Sequence, residues 1–171
     1  MTSQKLDFEA SFYAAFDPSK IESFLQEMSQ KSEQSRLQLP NFIGEGTHFQ
    51  SFELQSKPMN LAINIAKQTF VKRGPRLIEK WKSALRSLKN ADCKDLIPPF
   101  EVIQYIGLLA IVMPKGSPLN RKGAQAKSTF SVLEETSKSL SRMGLVLDDY
   151  PQLVECNGNI FICDWSDLQS L

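Results

Sequence analysis

The fold is decided by residues 41–66, NFIGEGTHFQSFELQSKPMNLAINIA. Two apolar runs flank the glycine-containing segment 44–47, and a third apolar run follows Ser56-Lys57-Pro58. β-branched and aromatic residues favour strands, whereas glycine and proline favour turns. In the third run, Leu61–Ala66, large apolar residues alternate with small or polar ones, which is typical of a strand with one face on a core. The segment therefore predicts three consecutive antiparallel strands joined by short turns.

Two further strands and a helix follow in the sequence. Pro75 favours the first turn of a helix, and the apolar residues after it recur at helical spacing. Pro98-Pro99 then breaks the chain before two short apolar runs, Phe100–Ile106 and Leu108–Met113, which are separated by Gly107. We therefore expect five antiparallel strands with one helix packed on them. The helix would contribute the apolar stripe Leu77, Ile78, Trp81, Ala84, Leu85 and Leu88.

Residues 1–40 are predicted to form a helical extension in front of these strands. Ser19 and Glu22 have the spacing of a capping box, which marks the start of a helix. The pattern predicts an entry segment followed by one helix that ends near Arg36, with Pro40 blocking any continuation. The apolar positions that recur at helical spacing are Ile21, Phe24, Leu25 and Met28.

A change in composition marks a boundary after the fifth strand. Residues 114–118 are turn-forming, and residues 120–127 are basic, small or polar. We therefore predict a first lobe over residues 41–113 and a hinge and loop over residues 114–127. Residues 128–171 would form a second, smaller lobe.

The second lobe is predicted to contain one helix and a β-hairpin. Ser131 and Glu134 form another capping box, and Met143-Gly144 provides a stop signal for the helix. Farther along, Asn157-Gly158 separates two apolar runs, which is the strongest short-range signal for a hairpin. Cys156 and Cys163 lie out of register across that turn, so the sequence predicts buried thiols rather than a disulfide.

The composition excludes several classes of function. The 171 residues carry a formal net charge of +1, so no global field favours a nucleic acid or an anionic membrane as partner. The three cysteines are too few for a disulfide scaffold, which indicates a reducing compartment, and the one histidine excludes multi-histidine metal sites. The first residues are polar and acidic, without the pattern of a signal peptide. We expect a cytoplasmic protein, or one delivered without a cleavable signal peptide.

The order of these elements resembles that of a protein kinase over residues 41–168. The shared order is a glycine turn between two strands, a third strand, a helix, two strands, a hinge, a helix, an acidic loop and a hairpin. The most specific part is residues 157–165, NGNIFICDW, which look like the hairpin that carries the kinase Asp-Phe-Gly metal ligand. The resemblance implies an α+β, protein-kinase-like fold with a five-stranded antiparallel N-lobe and a packed helix. The C-lobe would be reduced to a helix plus a β-hairpin, as in a minimal or degenerate bacterial-type kinase.

The resemblance also implies a site for ATP and Mg²⁺. Gly44 and Gly46 would let the backbone approach the phosphates, because neither has a side chain in the way. Ala62 would face the adenine, Lys67 would supply the cation for the phosphates, and Met113 would complete the nucleotide-binding set. Phosphoryl transfer needs this kind of backbone cradle together with a cation.

Four further residues take catalytic and metal-binding roles in this resemblance. Asp148 or Asp149 would orient or deprotonate the acceptor hydroxyl, although a loop that merely turns the chain also uses such residues. Asp164 would bind the metal, since an acid that emerges from an apolar hairpin needs a cation or hydrogen-bond donors. Gln152 would be a second, weaker metal ligand through its carbonyl oxygen.

The sequence departs from the kinase pattern at the positions that matter for activity. Asn64 stands where the family carries its phosphate-binding lysine, and Phe49 stands at the place of the third glycine. Lys67 lies three residues beyond Asn64, so strand alternation would point it to the other face unless a bulge intervenes. The helix residue that would pair with this lysine in the family pattern is Glu79.

These departures leave three functional hypotheses open. The first is a degenerate or minimal kinase-like protein that binds nucleotide and, if active, is a phosphotransferase using ATP. The second is a non-catalytic pseudokinase scaffold that binds an as yet unknown protein partner, and Asn64 favours this one. The third is an unrelated α+β interaction domain, which the terminal hairpin disfavours. The chain ends soon after Asp164, which leaves no room for an activation segment.

Overall fold

The computed structural model describes residues 3–71, 76, 79, 82–83, 96–119, 126–147, 152–163 and 168–170. The chain forms two compact units. The first comprises Met1–Gly74 and Pro99–Lys115, and the second comprises Pro75–Pro98 and Gly116–Leu171. Among the residues that the structure describes, no helix combines the length and apolar character needed to cross a bilayer.

A five-stranded antiparallel sheet forms the centre of the first unit, as the sequence predicts. Its spatial order is β1-β2-β3-β5-β4, so the fifth strand lies between the third and the fourth. Each pair of neighbours is antiparallel. The strands are β1 (Phe42–Glu45), β2 (Phe49–Leu54), β3 (Leu61–Ala66), β4 (Glu101–Tyr105) and β5 (Leu108–Pro114).

The turn between β4 and β5 shows why Gly107 is needed. Tyr105 lies opposite Leu108, so the two strands are joined by the two-residue turn Ile106-Gly107. The φ angles are 48° at Ile106 and 73° at Gly107. A two-residue hairpin turn with positive φ at both positions matches the twist of its strands, and glycine adopts that conformation at little cost.

Three helices precede the sheet, and here the structure corrects the predicted boundaries. They are α1 (Ser3–Ala15), α2 (Pro18–Ser29) and α3 (Glu33–Arg36), and a further short helix, α4 (Gln68–Val71), follows β3. The predicted entry segment is therefore mostly α1, and the predicted single helix ends at Ser29 rather than near Arg36.

The helix start predicted at Ser19 and Glu22 is also wrong. Asp17 is the N-cap of α2, and its carboxylate accepts a hydrogen bond from the backbone N–H of Lys20. Pro18 occupies the first helical position, where its missing N–H costs nothing. An aspartate followed by proline is as good a start signal as the Ser-x-x-Glu spacing, and it lies two residues earlier.

The core of the first unit lies between the N-terminal helices and one face of the sheet. Phe24 of α2 packs on Phe52 of β2 with their ring centroids 5.7 Å apart, and Phe52 also contacts Phe42 of β1. The hydroxyl of Tyr105 in β4 hydrogen-bonds Oε1 of Gln26 at 3.3 Å. We call the face of the sheet that packs against these helices the helix-covered face. The fully buried side chains of this core include Phe12, Ile21, Leu25, Phe52, Ile63 and Ile65.

In the part of the second unit that the structure describes, there are one long helix and five short strands. Residues 117–118 pair with the first strand of a hairpin to form a three-stranded sheet, and the other two strands pair with each other. The elements are β6 (Ser117–Pro118), α5 (Ala126–Arg142), β7 (Leu145–Leu147), β8 (Leu153–Cys156), β9 (Asn159–Ile162) and β10 (Leu168–Ser170). Residues 76, 79, 82 and 83 are also helical. The apolar stripe predicted over residues 77–88 lies outside the described residues.

Two local predictions for the second unit have opposite outcomes. The Asn157-Gly158 hairpin is confirmed, because Cys156 pairs with Asn159 and the turn residues have φ angles of 51° and 79°. The start predicted for α5 is wrong, because the helix begins at Ala126 and the Ser131–Glu134 box lies inside it. Five helical residues, 126–130, precede Ser131, so the N–H groups that the box would cap already bond to carbonyls of the preceding turn.

Candidate functional site

The side chain of Asn64 connects three strands of the sheet. It lies opposite Ser51 on β2 and opposite Ile111 on β5. Its Oδ1 accepts a hydrogen bond from the Ser51 hydroxyl at 2.6 Å, and its Nδ2 donates to the Ile111 carbonyl oxygen at 3.2 Å. The carboxamide thus has its acceptor and one of its donor hydrogens engaged inside the sheet.

Ala62 and Met113 lie on the same face of the sheet as Asn64. The two residues are register partners on β3 and β5, and side chains two residues apart on a strand share a face. Ala62 is half-buried, whereas Met113 is buried. We call this the Asn64 face, in contrast to the helix-covered face on the other side. It presents apolar side chains and a neutral amide at the positions that the resemblance assigns to nucleotide binding.

The glycine turn between β1 and β2 is a tight hairpin. Glu45 lies opposite Gln50, and the N–H of Gly46 donates to the Phe49 carbonyl oxygen at 2.9 Å, so Thr47 and His48 form the tip. No atom lies within 4 Å of a Cβ built at Gly44 or at Gly46, and neither residue has the positive φ that favours glycine. The fold itself therefore does not require glycine at either position.

Lys67 points to the helix-covered face and forms an ion pair there. Glu45 is in register with Gln50, which is in register with Ile65, so Glu45 lies on the helix-covered face. The Lys67 Nζ lies 3.1 Å from Glu45 Oε2. Alternation along β3 gives the same result, because Lys67 is an odd number of residues from Asn64. Lys67 is therefore on the opposite face from Asn64 and does not replace the missing cation there.

The backbone of Lys67 is held against the tip of the same hairpin. Its N–H donates to the His48 carbonyl oxygen at 2.8 Å. Phe70 of α4 packs on the rings of His48 and Phe49, with centroid distances of 4.7 and 5.2 Å. Oε1 of Glu33 accepts a hydrogen bond from the N–H of Gln68 at 2.6 Å. These contacts hold the Lys67 backbone and the start of α4 against the tip of the hairpin.

Most of the residues that the resemblance assigns to catalysis and metal binding lie outside the described part of the chain. Asp148, Asp149 and Asp164 lie outside the described residues. Gln152 is exposed, and its backbone carbonyl accepts a hydrogen bond from the N–H of Cys163 at 3.2 Å. Within the described part of the chain, no group of three or more His, Cys, Asp or Glu residues could hold a metal ion. The described residues therefore provide no test of fit for Mg²⁺.

The structure also describes Glu79, the partner that the resemblance implies for Lys67, and the thiols Cys156 and Cys163. Glu79 lies 3.4 Å from Lys82 in an exposed helical pair, whereas Lys67 pairs with Glu45. Cys156 is buried and Cys163 is half-buried, and no disulfide joins them. The predicted burial is therefore found for Cys156, whereas Cys163 is less buried than predicted.

Four polar residues with structural roles were missed at the sequence level. Ser51 and Glu45 could have been found by pairing β2 with β3 about the predicted turn, since that pairing places Ser51 opposite Asn64. Arg36, which is 5% exposed, and Gln50, which is 1% exposed, carry no such signal. Among the residues described, none donates a hydrogen bond to Oε1 of Gln50, although the amide nitrogen of Gln50 donates to the Glu33 carbonyl oxygen at 2.9 Å.

Comparison with solved structures identifies a protein kinase domain as a structural neighbour. The PknI kinase domain of Mycobacterium tuberculosis, solved as a double mutant, superposes with a TM-score of 0.51 at 11% sequence identity. The alignment covers 74% of this chain and 56% of that kinase domain. No protein-family model matches the chain, and no curated protein matches it at the sequence level. At this identity the similarity concerns the fold alone: a mixed α+β protein with a five-stranded antiparallel sheet, similar to part of a kinase domain.

Proposed function

We propose that this chain is a degenerate kinase-like protein that binds a protein partner and does not transfer phosphate. The observation that carries the proposal is the hydrogen-bonded Asn64. A polyphosphate needs a cation or several free N–H donors at this place, and the Asn64 carboxamide has no charge and already serves Ser51 and the Ile111 carbonyl.

The position of Lys67 supports the same conclusion. A lysine that lies on the helix-covered face and pairs with Glu45 offers no charge to a ligand on the Asn64 face. Losing one charge-assisted hydrogen bond costs about 1.5–3 kcal/mol, or about one to two decades in affinity. We therefore propose that ATP binding is weak or absent. Lys67 does not replace the phosphate-binding cation in this proposal.

The Asn64 face is the surface best suited to a protein partner, because in this proposal it no longer binds nucleotide. Apolar and half-buried residues of the Asn64 face, such as Ala62, provide contact area there, and the Glu53 carboxylate opposite Ala62 provides a charged neighbour. Non-obligate protein interfaces have this mixture of apolar centre and polar surroundings.

The test is a nucleotide titration of the folded protein with and without Mg²⁺. A ligand that binds only the native state must raise the unfolding midpoint by mass action. We expect no rise for wild type at micromolar MgATP, and a rise for Asn64→Lys if the fold accepts a cation on that face. Micromolar MgATP binding by the wild-type chain would overturn the proposal.

The phosphotransferase alternative has its own discriminating variant. If phosphate is transferred, turnover should fall strongly in Asp164→Ala, because in-line transfer needs charge neutralisation by the metal. The measurement is transfer of labelled phosphate from ATP to the protein and to generic acceptors at matched thermal stability. Absence of turnover in the folded wild-type protein would support the scaffold function.

A further inference from the structure

The five-stranded sheet ends on one side at β4, whose outer edge faces away from β5. Tyr105 and Leu108 flank a two-residue turn, and residues that flank such a turn exchange hydrogen bonds with each other. Hydrogen-bonded pairs alternate along an antiparallel ladder, so Ile103 also bonds to β5, whereas the N–H and C=O groups of Val102 and Gln104 point outward. Within the described part of the chain, these outward groups form no hydrogen bond. The edge of β4 is therefore open to another strand.

The two edges of this sheet differ in their protection against pairing with another strand. Natural edge strands are often protected by a β-bulge, by lysine or by proline. At the other edge, the pairing of β1 has an irregular register between Phe42 and Gly44. In contrast, β4 pairs with β5 in an unbroken register, contains no lysine or proline, and carries a single charged residue, Glu101. Only β1 thus has a feature that opposes the addition of a strand.

Ile106, at the end of this edge, is a residue that its turn does not favour. Its φ angle is 48°, a value that glycine, asparagine or aspartate adopts readily and that is rare for a β-branched residue. The Ile106 side chain is 53% exposed, so burial within the chain does not offset the unfavourable backbone conformation. A strained and exposed apolar residue beside an open sheet edge indicates a contact with another molecule.

We infer that the edge of β4 pairs antiparallel with β4 of a second copy of this chain, about a twofold axis at Ile103. In this register Val102 lies opposite Gln104 of the second copy, and the reverse pair follows by symmetry. Both residues have outward backbone groups, so each pair exchanges hydrogen bonds. One residue beyond the strand, the same register brings Ile106 beside Phe100 of the second copy.

The charges of β4 favour a second copy in this register. Glu101 lies opposite the uncharged Tyr105, whereas a register centred on Glu101 would place two carboxylates directly opposite each other, which is destabilising. A single pair of strand edges makes a small interface, so the dimer is weak and depends on concentration. The inference goes beyond the proposed function, because an added strand extends the sheet and does not occupy the Asn64 face.

The experiment is analytical ultracentrifugation of the folded chain from about one micromolar to about one millimolar. The wild-type mass should rise from that of the 19.3 kDa chain toward twice that value. Gln104→Pro removes an outward N–H and leaves the ladder to β5 intact, because an edge strand accepts proline where its N–H faces solvent. We expect this variant to dimerise at least about tenfold more weakly, since it loses a hydrogen bond in each half of the interface.

A second variant separates dimerisation from folding. Ile106→Asn replaces an unfavourable turn residue by a favourable one, so the unfolding midpoint should stay the same or rise while dimerisation weakens about tenfold. Ile43→Asn is the matched control, because Ile43 is also exposed, at 46%, but lies on β1 at the other edge of the sheet. This control should dimerise like wild type.

A pair of double variants tests the register itself. Val102→Lys/Gln104→Glu places opposite charges across the interface and should dimerise at least as tightly as wild type. Val102→Lys/Gln104→Lys places like charges there and should dimerise at least about tenfold more weakly at low ionic strength. These two variants and Ile106→Asn carry the test if Gln104→Pro does not fold.

Several results would overturn the inference. They are a wild-type chain that stays monomeric throughout the concentration range, a dimer that folded Gln104→Pro or Ile106→Asn leaves unchanged, and equal weakening by Ile43→Asn and Ile106→Asn. Equal dimerisation of the two charge variants would also refute this register. None of these results bears on the proposed function, which fails only if the wild-type chain binds MgATP or transfers phosphate.

Discussion

The guanidinium of Arg36 donates two hydrogen bonds to the carbonyl oxygen of Met28, at 3.1 Å from Nε and 2.8 Å from Nη2. Met28 lies in the last turn of α2, and its carbonyl oxygen also accepts a hydrogen bond from the N–H of Lys31 at 3.1 Å. A cation near the C-terminus of a helix is also favoured by the helix dipole. Burial lowers the pKa of Arg36 from its ordinary value, and nearby Glu33 acts in the opposite direction. Arg36 therefore closes the end of α2 with a buried charge.

We predict that Arg36→Ala lowers the free energy of unfolding by about 1.5–3 kcal/mol, because the hydrogen bonds from the charged guanidinium to the Met28 carbonyl are lost. Arg36→Lys should also destabilise, since an ammonium lacks the planar pair of donors, Nε and Nη2, that both reach the Met28 carbonyl oxygen. Urea denaturation measures both effects. Lys31→Ala, in an exposed pair with Glu27 at 4.0 Å, is the control and should change stability little. Equal effects of Arg36→Ala and Lys31→Ala would contradict this role.

Removing the Asn64 side chain, which hydrogen-bonds both β2 and β5, should destabilise the sheet. In Asn64→Ala the Ser51 hydroxyl loses its acceptor and the Ile111 carbonyl loses a donor, so we expect a loss of about 1–3 kcal/mol. A double-mutant cycle with Ser51→Ala should give a coupling of about 0.5–3 kcal/mol, as for residues in direct contact. Additive effects would show that the two side chains do not interact in solution.

The contact between α2 and the sheet can be tested with its aromatic pair. Phe52→Ala should cost about 3–5 kcal/mol, because the side chain is fully buried between Phe24 and Phe42. Phe24→Ala should also destabilise, and the two effects should be non-additive because the rings touch. The readout is the midpoint of urea unfolding. An independent, additive effect would mean that α2 does not pack on β2.

The pH dependence of stability should contain a contribution from Tyr13. Burial, and then Glu101 and Glu9, raise the pKa of Tyr13 above its ordinary value of 10.0. A raised pKa in the folded state means that this stabilisation is fully present below about pH 10 and is lost as pH rises through the folded-state pKa. Tyr13→Phe should therefore lose less stability than wild type above about pH 10.

Urea unfolding across that pH range measures the Tyr13 contribution. Glu101→Gln removes one of the two carboxylates that raise the pKa of Tyr13 and should give an intermediate pH profile. Tyr13 is 47% exposed, so the difference will be small. Superimposable profiles of wild type and Tyr13→Phe would refute the prediction.

Two glycines of the chain should respond oppositely to alanine. A Cβ at Gly116 would lie 3.0 Å from the Glu155 carbonyl oxygen and from the Val154 Cβ, so Gly116→Ala should cost about 1–3 kcal/mol through overpacking of β6 against β8. At Gly46 no atom lies within 4 Å and no positive φ is needed, so Gly46→Ala should leave stability unchanged or raise it slightly. Thermal unfolding of both variants decides this. A larger loss for Gly46→Ala would mean that the turn has a different conformation.

Much of the sheet could be predicted from the sequence because its signals are local. The alternation in Leu61–Ala66, the glycine after Ile106 and the Asn157-Gly158 pair each act over a few residues. A strand has a period of two and a hairpin turn needs positive φ, so neither depends on distant parts of the chain. The same alternation indicated that Lys67 leaves the face of Asn64. The helix boundaries were less well predicted, because two start signals competed before α2.

The sequence by itself determined the five strands of the first unit, the Asn157-Gly158 hairpin and the absence of a lysine at Asn64, but not the short strands β6, β7 and β10. Tertiary structure decided the partners of the polar side chains: Ser51 and Ile111 for Asn64, separated by 13 and 47 residues, and Glu45 for Lys67. It also decided that Arg36 is buried at the end of α2. Such pairings depend on which strands become neighbours and on which face the helices cover. The physical reason is that a buried polar group needs a hydrogen-bond partner, and the strand register decides which residue that is. The partner can be far away in the sequence, so no local pattern predicts it.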